Sequence, residues 1–403
     1  MRKIALCMEL SDFYEHGIAR GLVRYAKSKP DWRLYGYGWM FRSLEDIADW
    51  KGDGIIARVE DARSADRLAG LGLPIVDVAG AYSRSHFRSV TNDDFLTGYQ
   101  AALHLLGCGF TSFAFIGVAK TRWSELRKEG FEKALEGRAG DRTQGGGVRP
   151  RSYRSLPAFE RSLAWWEGSP DRGKEDEGEL EAFLSGLEAP TALFACNDTT
   201  GLRATELAGR LGLAIPESLA ILGVDNEDIL CELAAPSLSS IMLDCEAIGF
   251  RAAAALDAIL EGGSGGAPGG LPPGSGFSVP PKEVVEREST RVFACADALV
   301  AKAVTFIRAH AHEGIGVPDL LEVVSASRRS LETRFRAEMG RSIHEEILRS
   351  KLARAKRLLR ETDKTVEAVA EESGFGSLGR FHETFKRIEG SAPGEWRRKR
   401  VER

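Results

Sequence analysis

Across the first 240 positions, short unbroken apolar runs alternate with amphipathic stretches. "KIALCMEL", "GDGIIARV", "PIVDVAG", "SFAFIGV", "TALFACND" and "LAILGVDN" are rich in Ile, Val, Leu and Phe and read as strands. "DFYEHGIARGLVRYAKS", "TGYQAALHLLGCG" and "TTGLRATELAGRLGL" carry the helical period between them. Continuous apolar strands separated by helices predict parallel sheet covered on both faces, the α/β class. In such sheets ligands sit at the carboxyl ends of the strands.

From Ala301 the apolar period changes to 3.6, which predicts an all-α domain after the α/β one. "AVTFIRAHAHEG" is one helix, and "VPDLLEVVSASRRSLETRFRAEMG" splits into two around "SAS", with Ser327 as N-cap of the second. Leu331 and Phe335 turn inward and leave Arg328, Arg329, Glu332, Thr333 and Arg336 outward. "SIHEEILRSKLARAKRLLRET" is a long basic helix with Ile343, Ile347, Leu352, Ala355 and Leu359 on its inner face. "TVEAVAEESGFGSLGRFHETFKRIEG" repeats the helix–turn–helix layout, with Phe381 and Phe385 inward. The second helix of such a pair can lie in a major groove. Two pairs joined by one rigid helix suit successive grooves, about 10 base pairs apart.

Charge sharpens that picture. The formal net charge of −4 divides unevenly, with 22 Lys and Arg against 17 Asp and Glu from Asp297 onward, and 33 against 42 before it. A basic end on an acidic body predicts a polyanion partner for the last quarter; on charge alone, a solvated basic face is the alternative. At 403 residues, 43% apolar and 28% charged, the chain is sized for two or three soluble domains. No apolar run approaches the roughly 18 residues of a membrane span. "MRKIALCMELSDF" has too short an apolar stretch for a signal peptide, so a cytoplasmic protein without membrane partners is expected. The six cysteines lie far apart with no CxxC or Cys/His cluster, which predicts reduced thiols and no metal site. Neither GxGxxG after a strand, nor a P-loop, GxSxG or HExxH is present. The expectation is a protein that is not an enzyme and takes no cofactor.

Polar residues collect where the strands end. Asp12, Phe13 and Tyr14 follow the first strand, and Asp93 and Asp94 follow "SV" at 89–90. Arg122, Trp123 and Arg127 open the helix after "SFAFIGV". Asn197 and Asp198 end "TALFACND", and Asp225 and Asn226 end "LAILGVDN". Carboxylates and guanidinium groups grip vicinal hydroxyls through paired, charge-assisted hydrogen bonds, and an aromatic face stacks on a sugar's C–H side. The set reads as a polyol or sugar cleft. Several members have structural alternatives: Asp93 and Asp198 as helix caps, Trp123 as core.

"SGFGSLGRFHETFKRIEGSAPGEWR" at 373–397, with "SRRSLETRFRAEMGRSI" and "KLARAKRLLRET" upstream, resembles the DNA-binding domain of the arabinose-operon regulator (AraC) family. The resemblance covers about 100 residues. It implies base contacts by Arg329, Glu332 and Thr333 in the first recognition helix and Arg380, His382 and Glu383 in the second. Arg328, Arg336, Ser377 and Lys386 stand beside them. Arg suits guanine, and Glu accepts from cytosine. Two departures are visible: Ser325 stands where the family often has glycine, and Gly379 offers no side chain to a base.

"VTNDDFLTGYQAALHLLGCGFTSFAFIGV", "TALFACNDTTG" and "LAILGVDNED" resemble the two-lobed effector domain of lactose-repressor-type regulators and periplasmic sugar-binding proteins. The whole chain, including "DWKGDGIIA", "LPIVDVAGAY" and "VPPKEVVEREST", is similar to the xylose operon regulators. That resemblance implies a pentose effector, D-xylose first. It gives weight to Asp198, Asp225 and Arg127 as sugar ligands, with Arg122, Trp123, Asn226, Phe13 and Tyr14 as further candidates. The implied partners are operator DNA with paired half-sites, the sugar, a second copy in a homodimer, and RNA polymerase if the protein activates. Two alternatives stay open, a regulator with a non-sugar effector and one with none; a sugar transport protein is not expected, because no signal peptide is read and the basic module has no place in one.

"EGGSGGAPGGLPPGSG" at 261–276 has the composition of an interdomain linker. "FSVPPKEVVEREST" after it does not read as helix, because Pro280 and Pro281 interrupt it and "EVVE" reads as extended. The run is therefore expected as a surface loop inside an effector domain at 1–290. Its lobes are expected at about 1–109 with 240–290, and about 110–239. A linker at 291–297 leads to the DNA-binding domain at 298–403, with helix-turn-helix units at about 317–336 and 365–387.

Overall fold

The computed structural model describes the chain except residues 11, 37–46, 48–49, 83–86, 120, 141–151, 157–171, 263–275, 292–296, 363 and 402–403. Most of the glycine run and of the linker therefore lie outside the described residues. The chain divides into two units, one within Met1–Thr290 and one within Arg291–Arg403. Among the described residues no helix is long and apolar enough to cross a membrane.

The first unit begins β1 (Arg2–Cys7), α1 (Phe13–Lys27), β2 (Trp32–Gly36), β3 (Gly54–Ala57), α2 (Ala62–Ala69), β4 (Ile75–Asp77) and β5 (Arg88–Asn92). It continues α3 (Asp94–Gly107), β6 (Ser112–Ile116), α4 (Arg122–Gly140), β7 (Ser152–Leu156), α5 (Arg172–Ser185), β8 (Thr191–Ala195) and α6 (Asp198–Arg210). It ends β9 (Leu219–Asp225), α7 (Asp228–Leu233), β10 (Ser239–Met242), α8 (Cys245–Leu260), β11 (Gly276–Val279) and β12 (Glu283–Val285). Two six-stranded sheets result, ordered β11-β5-β4-β3-β1-β2 and β12-β10-β9-β8-β6-β7. The first is parallel throughout; in the second only β12, against β10, runs antiparallel. Strands buried on both faces, such as Gly54–Ala57, Ser112–Ile116 and Thr191–Ala195, are the unbroken apolar runs of the sequence.

The chain crosses between the lobes three times, at 92–94, 242–245 and 279–283. The crossings are tied together: the Asp93 N–H donates to the Val279 carbonyl at 2.8 Å, and the Lys282 N–H to that of Met242 at 2.8 Å. The lobes divide differently from the sequence expectation. Helix α3 packs on α4 in the second lobe: a Cβ on Gly98 would lie 1.8 Å from the Arg127 carbonyl oxygen, and one on Gly130 1.9 Å from that of Phe95. The 240–290 stretch is shared, with α8 and β11 serving the first lobe and β10 and β12 the second. β11, the first described strand after α8, hydrogen-bonds to β5 in the sheet of the first lobe.

The helical unit contains α9 (Ala298–His310), α10 (Val317–Val323), α11 (Arg328–Met339), α12 (Ile343–Glu361), α13 (Val366–Glu372), α14 (Leu378–Glu389) and α15 (Pro393–Val401). Its core is divided in two. Leu320, Leu331 and Phe335 pack with Ile343 and Ile347 from the first half of α12. Leu352, Ala355 and Leu359 from its second half pack with Val369, Phe381 and Phe385. One helix thus splints two helix pairs. Serines start three of these helices: Ser327, Ser342 and Ser377 each accept the N–H of the residue three ahead. Between α13 and α14, Gly374 holds φ +76°, and a Cβ there would come within 2.5 Å of the His312 carbonyl oxygen. Lys351 on α12 donates to the Gly374 carbonyl at 2.6 Å, which fixes the second turn against the splint.

Candidate effector site and DNA-reading helices

The packing of α3 on α4 sets Arg127 at the carboxyl ends of β8 and β9. Its side chain is 4% exposed. Nε donates to Asp94 Oδ1 at 2.8 Å, and Nη1 donates to the Cys196 carbonyl. Nη2 lies 3.9 Å from Asp225 Oδ1, and the guanidinium sits 4.9 Å from the Trp123 ring centre. One buried cation therefore gathers two carboxylates, a strand-end carbonyl and an indole face. Asp225 keeps 27% of its side chain exposed, so this group opens on one side. Burial pushes the Asp225 carboxyl well above the usual range; Arg127 opposes this, and Asp198, Asp12 and Asp94 add to it. Asp225 and Asn226 hold φ +110° and +53°, a conformation L-residues avoid and that accumulates at ligand sites.

The other lobe supplies the start of α1. Asp12 is the N-cap, accepting from the Glu15 N–H at 2.8 Å. Phe13 and Tyr14 follow, half-buried. The Tyr14 hydroxyl donates to the Val78 carbonyl at 2.8 Å. Arg58, which sequence reasoning missed, lies 5.8 Å from the Tyr14 ring centre and pairs with Asp12 at 2.9 Å and with Glu15 and Glu60 at 3.0 Å. Its signal was present: it directly follows the strand "GIIA".

Three expected ligands stand elsewhere. Asn197, not Asp198, caps α6, accepting from the Thr200 N–H at 2.9 Å. Asp198 is buried beneath the β9–α7 turn, where it accepts from the Ser240 hydroxyl at 2.6 Å, the Glu227 N–H at 2.8 Å and the Cys231 thiol at 3.5 Å. Its carboxylate shapes the turn that carries Asp225 rather than facing the cleft. Asn226 accepts from Arg287 Nη1 at 2.9 Å, inside the second lobe. Arg122 turns back along α4 to Glu129 at 3.1 Å, while its backbone N–H reaches the Ala81 carbonyl of the other lobe at 3.3 Å. Asp93 does cap: it accepts from the Leu96 N–H at 2.9 Å.

Burial pushes the Asp198 carboxyl up to about 7, against the pull of its donors Ser240 and Glu227. A folded-state value above the unfolded one means the native state holds the proton more tightly. Stability from this group is full below about pH 4 and is lost as pH rises towards 7. Asp198→Asn should therefore flatten the fall in thermal midpoint between pH 4 and 7. An unchanged slope in the variant would assign that fall to other groups.

In the helical unit, Arg328, Arg329, Glu332, Thr333 and Arg336 are exposed on α11. Arg328 pairs with Glu332 at 2.9 Å, and the Thr333 hydroxyl donates to the Arg329 backbone carbonyl at 2.8 Å. On α14, Ser377, Arg380, Glu383 and Lys386 are exposed, and His382 is half-buried beside Phe381.

Residues 3–92 match a XylR N-terminal domain, 102–290 a periplasmic binding protein-like domain, and 320–399 a helix-turn-helix domain. The chain is 28% identical to the xylose operon regulatory protein of Escherichia coli strain K12, over 98% of this chain and 96% of that one. The chain thus carries a XylR-type N-terminal domain, a periplasmic binding protein-like domain and a helix-turn-helix domain, and is similar along its whole length to the xylose operon regulators. The xylose operon regulatory protein of Haemophilus influenzae is also 28% identical, over 98% of both chains. A solved structure of the xylose-binding transcription activator XylR matches 98% of this chain and 97% of that chain at 28% identity, with a TM-score of 0.59. A LacI family regulator from Enterococcus faecium with bound ribose shares the fold alone, over 72% of this chain and 98% of that one, at 21% identity and a TM-score of 0.51. With these domains and relatives the chain is a sugar-responsive, DNA-binding transcription regulator rather than an enzyme, and its two-lobed α/β plus helix-turn-helix architecture is the one its sequence predicts.

Proposed function

We propose that this regulator binds D-xylose, or a closely related pentose, between its two lobes and activates sugar-catabolism genes as a cytoplasmic homodimer on paired half-sites. The observation that carries the proposal is the open-sided Arg127–Asp94–Asp225 group with the Trp123 face beside it. Two carboxylates and a guanidinium in fixed positions match a row of sugar hydroxyls, and Trp123 offers a face for C–H stacking. Asp12 and Arg58 approach from the first lobe, so a ligand bridging the two sets favours the closed form. Only that differential affinity can move the equilibrium. Asp198 and Asn226 act behind the site by holding the 225–227 turn, and contact with RNA polymerase follows on the promoter.

Thermal-shift screening of pentoses, hexoses and nucleosides, with footprinting upstream of sugar-catabolism genes, tests this directly. D-xylose should raise the first transition more than any hexose; a nucleoside winning, or no sugar acting, would replace the reading. On the DNA side, Arg329→Ala should weaken operator binding by about 1–3 kcal/mol and relax preference at one base pair. Equal losses on all duplexes in a mobility-shift series would make Arg329 a phosphate contact instead.

A further inference from the structure

The two helix-turn-helix units can be aligned residue by residue. Ser327 and Ser377 are the N-caps of α11 and α14, and the buried pair Leu331 and Phe335 corresponds to Phe381 and Phe385. This register sets Leu378 opposite Arg328 and Gly379 opposite Arg329. Where the first reading helix opens with two arginines, the second opens with an apolar side chain and none at all.

Leu378 is 39% exposed, among the few large apolar side chains so placed, at the first position of α14. The N-terminal residues of a recognition helix are the ones that meet base edges. Around Gly379 an added Cβ would meet nothing within 4 Å, and the same holds at Gly376. The protein itself therefore has room for a side chain at 379, and its fold does not require glycine there. Helix stability argues against glycine at an open helical position. A backbone that must come close to another surface is what glycine serves instead.

In the major groove the thymine 5-methyl is the apolar group on a base-pair edge. We propose that Leu378 reads thymine methyl groups, with Gly379 letting the start of α14 settle against the bases. The two units then read differently: α11 through cations suited to guanine, α14 through an apolar contact selecting A·T pairs.

The test uses the full-length chain and a duplex it recovers from a random-sequence library. Each thymine of that duplex is replaced in turn by deoxyuridine, which removes only the methyl group. For the wild type, at least one replacement should weaken binding by about three- to fivefold, the worth of one buried methyl. Leu378→Ala should weaken binding to the unmodified duplex by a similar factor and become indifferent to that same replacement. Gly379→Ala should raise the thermal midpoint of the helical unit yet weaken binding several-fold, a pair of effects a purely structural role would not produce. If Leu378→Ala keeps the wild-type sensitivity at every thymine, or if the recovered duplex holds no methyl-sensitive position, the proposal is overturned. Gly379→Ala binding as tightly as wild type would overturn the close approach.

Discussion

Arg127→Met should cost the α/β unit about 3–5 kcal/mol and abolish the sugar-dependent thermal shift, the usual scale for removing one partner of a buried ion pair. Arg127 faces Asp94, 5% exposed, at 2.8 Å and Asp225 at 3.9 Å. Without the cation, both carboxylates are left in a site whose burial already pushes them upward. They can escape only by taking up protons. The variant's deficit should therefore shrink at pH 5 and widen at pH 8, because a carboxyl with a raised folded-state value contributes stability at low pH and loses it as pH rises. Calorimetric unfolding at both pH values, with and without D-xylose, separates the two effects. A variant that regains wild-type stability at pH 5 and still ignores the sugar would assign Arg127 to the ligand as well as to the fold. A retained sugar shift would remove it from the site.

The elements were legible because their signals are local. Unbroken apolar runs announced the parallel strands, and inward pairs such as Leu331 with Phe335 and Phe381 with Phe385 announced the helix pairs, all four now fully buried. What was not legible depends on distant partners. Asn197 and Asp198 are adjacent and both suit a cap; the extended backbone at 197, φ −151° and ψ 174°, gives Asn197 that task. Asp198 is then claimed by Ser240, far along the chain on β10. Arg122 and Arg127 sit five residues apart on one helix and so face different directions. Only the seating of α3 against α4, through Gly98 and Gly130, decides which of them is buried. The same contact moved the lobe boundary, since no property of "TGYQAALHLLGCG" says which sheet it will cover.

Phe385→Ala should dissolve the second helix-turn-helix and leave the first standing. Phe385 is fully buried, packed edge-on to Phe381 at 5.4 Å and to Trp396 at 5.8 Å between ring centres. Truncating such a residue costs about 3–5 kcal/mol, more than a core of this size can spare. The damage should stay local because the two cores draw on different halves of α12, Ile343 and Ile347 against Leu352, Ala355 and Leu359. Hydrogen exchange reads this directly: protection should vanish across Val366–Glu389 and persist across Val317–Met339. Operator binding should then fall to what the first reading helix of each protomer supplies, while the sugar-dependent thermal shift of the α/β unit stays intact. Loss of protection in both helix pairs together would mean that α12 transmits unfolding end to end. The splint would then make one cooperative unit of the two readers, and the chain could not engage one groove without the other.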